Sequence, residues 1–473
     1  MADVALAISL GTVPNAAGVT GQATVTINAA KQYQRIAGFG VSEGFGQAKT
    51  VMDAPASIQK QVLSLLYSPK HGAGLTILRN EISADASFTI EPAAPSSPNA
   101  APSYLSLAEV DQDQGQLWFA KQIKADYGVS DVFADAWSAP AFMKTNNSAI
   151  LGGTLCGVPG ASCTSGDWRQ AYANYLVQYA KDYAAAGVPL TYVGPENEPT
   201  IAPPQDSMIM SPTQTANFME VLGATLAPSG LSTRAECCAS IGWDYAQQDA
   251  VAIEIDKAAN TATALFTSHG YFVAPDSALR GWSKPVWETE WAPFGFQRWD
   301  PAWDDGSLSS GFTWAQNIAK GLTTANLGAF LYLWGASTTS MTGPNTGLLE
   351  VKGNTVATSG RLWAFASYSR FIRPGAVRIG TMTSDPGLKV SGFRNSDGSI
   401  AVVVLNSARS RQVATFSLPG LDGAHVTPHL TDTSHKLSAQ TPITVNNEAF
   451  TATLPPRSLV SYDIRARKRT SPK

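Results

Sequence analysis

The chain has 473 residues, of which 44% are hydrophobic and 15% charged, which excludes whole-chain disorder and leaves room for a (β/α)₈ barrel plus a smaller domain. Its 33 basic and 36 acidic residues give a formal charge of −3, so no global positive field exists for nucleic acid or anionic lipid, and the expected partner is neutral. The longest apolar runs, such as 329–334, fall far short of the roughly 20 residues that a membrane span needs.

Residues 1–21 are rich in Ala, Gly and Val without a period and read as a poorly ordered lead-in; the opening carries Asp3 and no basic region, unlike a signal peptide. The segment 22–28 alternates and predicts a short strand, within an N-terminal piece 22–36. From 37 to 377, β-like apolar runs alternate with helical patterns, as in a parallel α/β architecture. The predicted strands are 36–42, 75–82, 131–137, 191–194, 234–241, 264–268, 286–290 and 330–334, the number that closes a (β/α)₈ barrel. Between them, Asp53 before Ala54-Pro55 opens a helix through Ile58, Val62 and Leu66. Asp167 to Gln170 reads as a capping box, followed by a stripe of Tyr172, Leu176, Tyr179 and Tyr183 that ends at Gly187. Both stripes are read as faces packing on the barrel. From 378 to 464 the pattern becomes short alternating strands (388–393, 400–405, 413–418, 450–454 and 459–464), an all-β side domain; 465–473 is a basic, solvated tail.

Cys156 and Cys163 flank a loop-like stretch and suit a short-loop disulfide, whereas Cys237 and Cys238, being adjacent, are expected as buried thiols rather than a bridge. The five histidines have no ligand spacing to the cysteines, so neither a metal nor another cofactor is expected. Carboxylates and aromatics come together at the ends of predicted strands 4 and 7, in Tyr192-Val-Gly-Pro-Glu196-Asn197-Glu198-Pro199 and Val286-Trp287-Glu288-Thr289-Glu290-Trp291. In a (β/α)₈ barrel those ends share one cleft, and opposed carboxylates in a neutral, tryptophan-rich protein fit glycoside hydrolysis. Candidate sugar platforms are Trp137, Trp168, Trp243, Trp291, Trp299, Trp303 and Trp334, some of which must be core. Alternation cannot separate Glu196 from Glu198 or Glu288 from Glu290; nearness to the strand ends favours the later member of each pair, with the earlier ones expected as buried, hydrogen-bonded acids.

Asn197-Glu198-Pro199 with Thr289-Glu290 resembles the clan of retaining (β/α)₈ glycosidases. Gly38-Phe-Gly-Val-Ser-Glu43, Trp137-Ser-Ala-Pro140 and Phe142-Met-Lys-Thr-Asn146 are similar to glycoside hydrolase family 30, and most like its fungal subfamily 7 xylanases. The resemblance implies a barrel with a side β-sandwich that takes in the N-terminal strand. It also implies that Glu198 is the acid/base, that Glu290 is the nucleophile and that Asn197 binds the sugar 2-hydroxyl. Tyr271 matches the tyrosine that steadies the nucleophile, Trp137 and Trp334 match walls of subsite −1, and Arg79 matches the arginine near the nucleophile.

One departure from the family is visible. Where an arginine for the glucuronosyl branch of xylan is expected, after strand 1, this chain has Gln47, with Lys49 as a point-charge substitute, and 335–350 contains neither Lys nor Arg. The expected activity is therefore hydrolysis of β-1,4-xylan and xylo-oligosaccharides without strict dependence on the branch. Release of xylose or xylobiose is expected if loops 151–166 and 291–305 wall off one end. The alternatives are a glucuronoxylan-specific endo-xylanase, a β-1,6-glucanase or galactanase, and a non-catalytic carbohydrate-binding protein. A polymeric substrate and a disulfide point to a secreted monomer, and the sequon at Asn146 lies too near the substrate side to be used.

Overall fold

The computed structural model describes residues 22–293, 298–338 and 346–467. The expected lead-in and the last six residues of the basic tail lie outside the described residues.

Eight parallel strands close into a barrel: Gly38–Ser42, Ile77–Ile82, Asp131–Ala136, Tyr192–Gly194, Arg234–Ser240, Thr263–His269, Val286–Glu290 and Ala329–Leu333, numbered here as barrel strands 1 to 8. Each lies within two residues of its expected bounds. Strand 8 pairs back onto strand 1 from Gly38 opposite Ala329 to Ser42 opposite Leu333, so no edge is left open. Strands enclosed on both faces are mostly apolar, and strand 8 is so at every position.

The barrel interior is layered. Ile77, Phe133, Tyr192, Leu265, Trp287, Ala329 and Leu331 form an apolar plug, with Trp287 edge-on to Phe133 and Tyr192 at 5.8 and 5.4 Å. Two residues further along three of these strands come Arg79, Asp135 and Thr267, all fully buried. The pleat that turns Ile77, Phe133 and Leu265 inward turns these polar groups inward too, one layer nearer the C-terminal rim.

The helix Arg169–Ala185 buries Tyr172, Leu176, Tyr179 and Tyr183 as expected, and Gly187 follows it at φ 86°. The expected capping box is absent. Trp168 occupies the cap position, and the Asp167 carboxylate takes the Arg169 guanidinium at 2.6 Å and the Arg169 amide at 3.0 Å rather than the amides a cap at 168 would meet. Asp53 likewise ends the short helix Gln47–Met52 rather than opening the next, Ala56–Tyr67, which starts after Pro55 with no side-chain cap.

The side domain is a ten-stranded sheet. The N-terminal strand Ala23–Arg35 enters it between Val377–Thr383, antiparallel, and Gln412–Ser417, parallel. It is longer than the alternating segment because two register shifts carry the ladder on through residues whose side chains face solvent. His425–Thr431 was not expected, since Pro428 argues against a strand, yet it pairs with Ser458–Arg465 throughout. A three-stranded sheet, Ala336–Thr338, Leu349–Lys352 and Thr355–Thr358, was also not foreseen. The side domain has its own core around Val402, Val404, Phe416, Phe450 and Tyr462. It is tied to the barrel by Arg457, bidentate on Asp304 at 2.8 and 2.7 Å, and by the Ser461 hydroxyl donating to the Ser367 carbonyl at 2.6 Å.

Cys156 and Cys163 are bridged in the loop after strand 3. Cys237 and Cys238 are bridged as well, which corrects the expectation of free thiols. Strand 5 loses regular pairing with strand 6 between Cys237 and Ser240, and Ala239 is left-handed at φ 45°, so the alternation that would send the two sulfurs to opposite faces does not hold there.

Several carboxyls are raised by burial: Glu81 is pushed up to about 8, Glu91 to about 7, and Asp113 and Asp249 to about 6. Each folded-state value lies above the unfolded one, so the stability these groups add is full below about pH 4 and is lost as pH rises through 6 to 8. Thermal melts should therefore show the highest Tm near pH 4 to 5 and a decline of several degrees by pH 8, with Glu81→Gln flattening the part above pH 6. A Tm that rises over this range contradicts the buried neutral acids.

Candidate active site

The C-terminal rim of the barrel is organised by Arg79, from strand 2. Its guanidinium is fully buried and uses all three faces of its fork: Nε donates to Asp135 of strand 3 at 2.5 Å, Nη2 to Asn197 Oδ1 at 2.7 Å, and Nη1 to Glu290 Oε2. Tyr271 Oη donates to the other oxygen of Glu290 at 3.0 Å. Opposite, Glu198 sits in a left-handed conformation at φ 48°, its amide donating to the Ala239 carbonyl at 2.9 Å, and its Oε1 lies 2.9 Å from His269 Nδ1. A carboxylate oxygen of Glu198, one of Glu290 and a ring nitrogen of His269 all lie within 4.8 Å of one another.

The two carboxyls differ in their surroundings. Burial raises Glu290, but the Arg79 charge and the hydrogen bonds from Arg79 and Tyr271 oppose the rise, so of the two acids it is the one that ionises first. Glu198 is pushed well above the usual carboxylate range by burial and then by the Glu290 charge, with only Arg79 opposing, so it keeps its proton. Burial and Arg79 together push His269 far down, leaving a neutral imidazole whose contact with Glu198 is a hydrogen bond rather than an ion pair. The same three side chains are the donor set that a metal ion would meet, but the Glu290 oxygens are already taken by Arg79 and Tyr271. The other close donor group, Glu196 with Cys237 and Cys238, offers disulfide sulfurs rather than thiolates.

Glu196 and Glu288 are fully buried and stand outside this cluster. The Thr215 hydroxyl lies 2.9 Å from both Glu196 oxygens, and Glu288 is held neutral by burial. A register shift between strands 6 and 7 sets Glu290, rather than Thr289, opposite His269, which two-residue alternation does not foresee.

Trp137 lies under the Arg79 guanidinium at 4.5 Å, and Phe45 stands edge-on to both Trp137 and Trp334, at 5.3 and 6.3 Å. The Trp334 indole nitrogen is buried without a partner among the described residues, leaving a donor for a ligand. Trp291, expected among the substrate contacts, is half-buried and packs against Trp314 and Phe330 at 5.2 and 6.2 Å, its ring in the space that Gly270 leaves open. Trp168, Trp243 and Trp303 are core, each indole nitrogen satisfied by a neighbouring oxygen, and Trp299 is half-buried with its nitrogen on the Gly347 carbonyl. Gln47 is buried at the start of its helix with Oε1 unpartnered, while Lys49 is committed to Asp53 and, at 3.5 Å, to Asp111, so it is no free cation. Asn146 Nδ2 donates to the Ile150 and Gly152 carbonyls at 3.2 and 3.0 Å, an arrangement that a glycan on that nitrogen would break.

Five contributors were missed from the sequence: Phe45, Asp135, Glu236, Thr267 and His269, the last meeting Glu198. Asp135 Oδ1 and Glu236 Oε1 are buried without another partner, and both converge on Gly194, where a Cβ would come within 2.4 and 1.5 Å of them. Glu236 is raised well above the usual carboxylate range by burial and then by the Asp135 charge, with the Thr267 hydroxyl on its far oxygen. An acid inside a predicted buried strand, next to one bearing a buried arginine, was the available signal for Asp135.

Fold and site together define a barrel glycoside hydrolase. The family model for O-glycosyl hydrolase family 30 matches residues 22–276, and that for the family 30 β-sandwich domain matches 375–462, so the chain belongs to glycoside hydrolase family 30. The catalytic domain of a family 30 xylanase from Talaromyces cellulolyticus is 43% identical, with a TM-score of 0.87 over 94% of this chain and all of that one. Among curated proteins, mouse lysosomal acid glucosylceramidase is 24% identical over 84% of this chain and 80% of its own length. A glucuronoxylanase of Bacillus subtilis is 23% identical over 71% of this chain and 74% of its own length.

In Glu290→Gln the charge facing Glu198 is gone, so the Glu198 carboxyl should titrate at lower pH than in the unaltered protein. Carbon-detected NMR of the glutamate side chains reads the shift, and an unmoved titration refutes the coupling.

Proposed function

We propose that this chain hydrolyses β-1,4-xylan with retention at the anomeric carbon. The observation that carries the double displacement is the opposed pair itself: carboxylate oxygens within 4.8 Å, one group charged and one protonated. Retaining glycosidases space these groups at about 5 to 5.5 Å, whereas inverting ones leave about 6.5 to 9.5 Å for a water. Xylan as substrate is supported by the 43% identity to the Talaromyces xylanase.

In the first step Glu290, aimed by Arg79 and Tyr271, attacks the anomeric carbon while Glu198 gives its proton to the glycosidic oxygen. The C–O bond breaks, the shortened chain leaves and a glycosyl ester forms on Glu290. Esterification removes the charge that raised Glu198, so its pKa falls and it becomes the base. Glu198 then takes a proton from water, whose oxygen displaces Glu290 at the same carbon and restores the starting configuration. Asn197, oriented by Arg79, is placed to meet the 2-hydroxyl.

The preferred mode is release of short products, xylose or xylobiose, without a requirement for glucuronosyl branches. Lys49 is neutralised by its acidic partners, which supports independence from the branch. The loops after strands 3 and 4 are joined to each other: the Leu151 amide donates to the Pro203 carbonyl at 3.1 Å, and the buried Lys144 ammonium to the Ser207 carbonyl at 2.6 Å. Such a braced wall suits a cleft closed at one end. Two disulfides support action outside the cell, and nothing in the mechanism needs a second subunit.

Mass spectrometry and NMR of the earliest products from glucuronoxylan, unbranched β-1,4-xylan and a β-1,6-glucan test this reading. Xylose or xylobiose from both xylans, first formed as the β anomer, is the expected result; cleavage of the β-1,6-glucan alone overturns it. Glu198→Ala should lower kcat by about 10²- to 10⁴-fold and, with azide, yield a β-glycosyl azide. Glu290→Gln should yield none, and the reverse pattern would exchange the two roles.

A further inference from the structure

Phe272 is 78% exposed, the most solvent-accessible aromatic ring among the described residues, and it directly follows Tyr271. Its backbone is left-handed at φ 53°, a conformation that bulky L-residues rarely adopt and that persists where the surroundings impose it. Here they do. The Val273 amide donates to the Tyr271 carbonyl at 2.5 Å, the Trp243 amide to the Val273 carbonyl at 2.9 Å, and the Trp243 indole to the Ser277 carbonyl at 2.6 Å. A Cβ on Gly242 would come within 2.4 Å of the Tyr271 carbonyl, so the backbone has no room to relax. A clamped turn thus holds a large apolar ring in water one residue from a group that touches Glu290, and the ring adds nothing to the core.

The barrel order gives the ring a side. Trp137, Phe45 and Trp334 line the rim over strands 3, 1 and 8, and Phe272 follows strand 6, across the closed ring of strands. His269, which contacts the proton donor Glu198, comes from that same strand. With the reacting sugar against Trp137 and Trp334, the departing part of the chain lies towards Glu198 and strand 6. The nearest charged residue in the loop, Asp276, is paired with Lys320 at 3.7 Å, so a neutral ligand is favoured.

We propose that Phe272 is a sugar platform on the leaving-group side of the cleft, its face stacked on the C–H groups of the neutral xylosyl residue that departs with the proton of Glu198. The identity of that sugar rests on the xylan reading above.

The test compares xylohexaose, whose leaving group is a sugar chain, with xylobiosyl fluoride, whose leaving group is one atom. Phe272→Ala should lower kcat/KM for xylohexaose by about three- to ten-fold more than for the fluoride, while Phe272→Trp keeps the wild-type ratio. Thermal melts of both variants verify the fold. Equal effects on the two substrates, or none, overturn the platform. A wild-type enzyme inert on xylohexaose refutes the xylan reading and the xylosyl ligand with it, whereas an active wild type with an indifferent Phe272→Ala refutes the platform alone.

Discussion

A guanidinium sealed from water needs its charge answered and its hydrogens accepted, and the upper half of this barrel is arranged to do both for Arg79. Asp135 and Glu290 supply two negative charges and Asn197 a neutral acceptor, so the fork is filled from strand 3 and from the ends of strands 4 and 7. A lysine cannot reproduce that planar three-way contact. The same arrangement decides which carboxyls ionise. Burial, and after it the charges of Glu290 and Asp135, raises Glu198 and Glu236 well above the usual carboxylate range. The two acids facing the cleft thus differ through burial and through their unequal share of the Arg79 charge rather than through any property of glutamate.

The arrangement is also a mechanical link. From Arg79 the contacts run to Asp135, which crowds against Glu236 over Gly194, then to the Thr267 hydroxyl, which accepts the Ala239 amide at 2.9 Å, and from the Ala239 carbonyl to the amide of Glu198. The group that aims one carboxyl therefore also helps hold the backbone of the other. Gly194 permits this, since any side chain there would displace the Asp135 and Glu236 pair.

The fold was legible because enclosed strands are rich in apolar residues, and runs such as 329–333 bounded by helical patterns allow few other readings. Glu198 and Glu290 were reachable by their place at strand ends, Arg79 and Tyr271 only through resemblance to known enzymes, and that resemblance also singled out Trp137 and Trp334 from the seven candidate platforms. What stayed hidden depended on departures from regular geometry. The bulge that re-aims Glu290, the left-handed Glu198 and the irregular stretch at Cys237–Ser240 have no period to detect. Asp53 and Asp167 failed as caps for another reason: each is an acid that the sequence places correctly, but whose role is set by a helix end or a cation that pattern alone does not rank.

The N-terminal strand has a consequence for how the chain is made. Val25 and Ile27 belong to the core of the side domain, but their neighbours begin only at Val377. At about 10 residues per second the ribosome needs roughly half a minute to supply them. For that interval the strand is an apolar segment without its partners beside a barrel that is still being completed, and the arrival of the residues from Val377 onward is what shelters it. The sheet therefore joins in one event two segments that the order of translation keeps far apart in time.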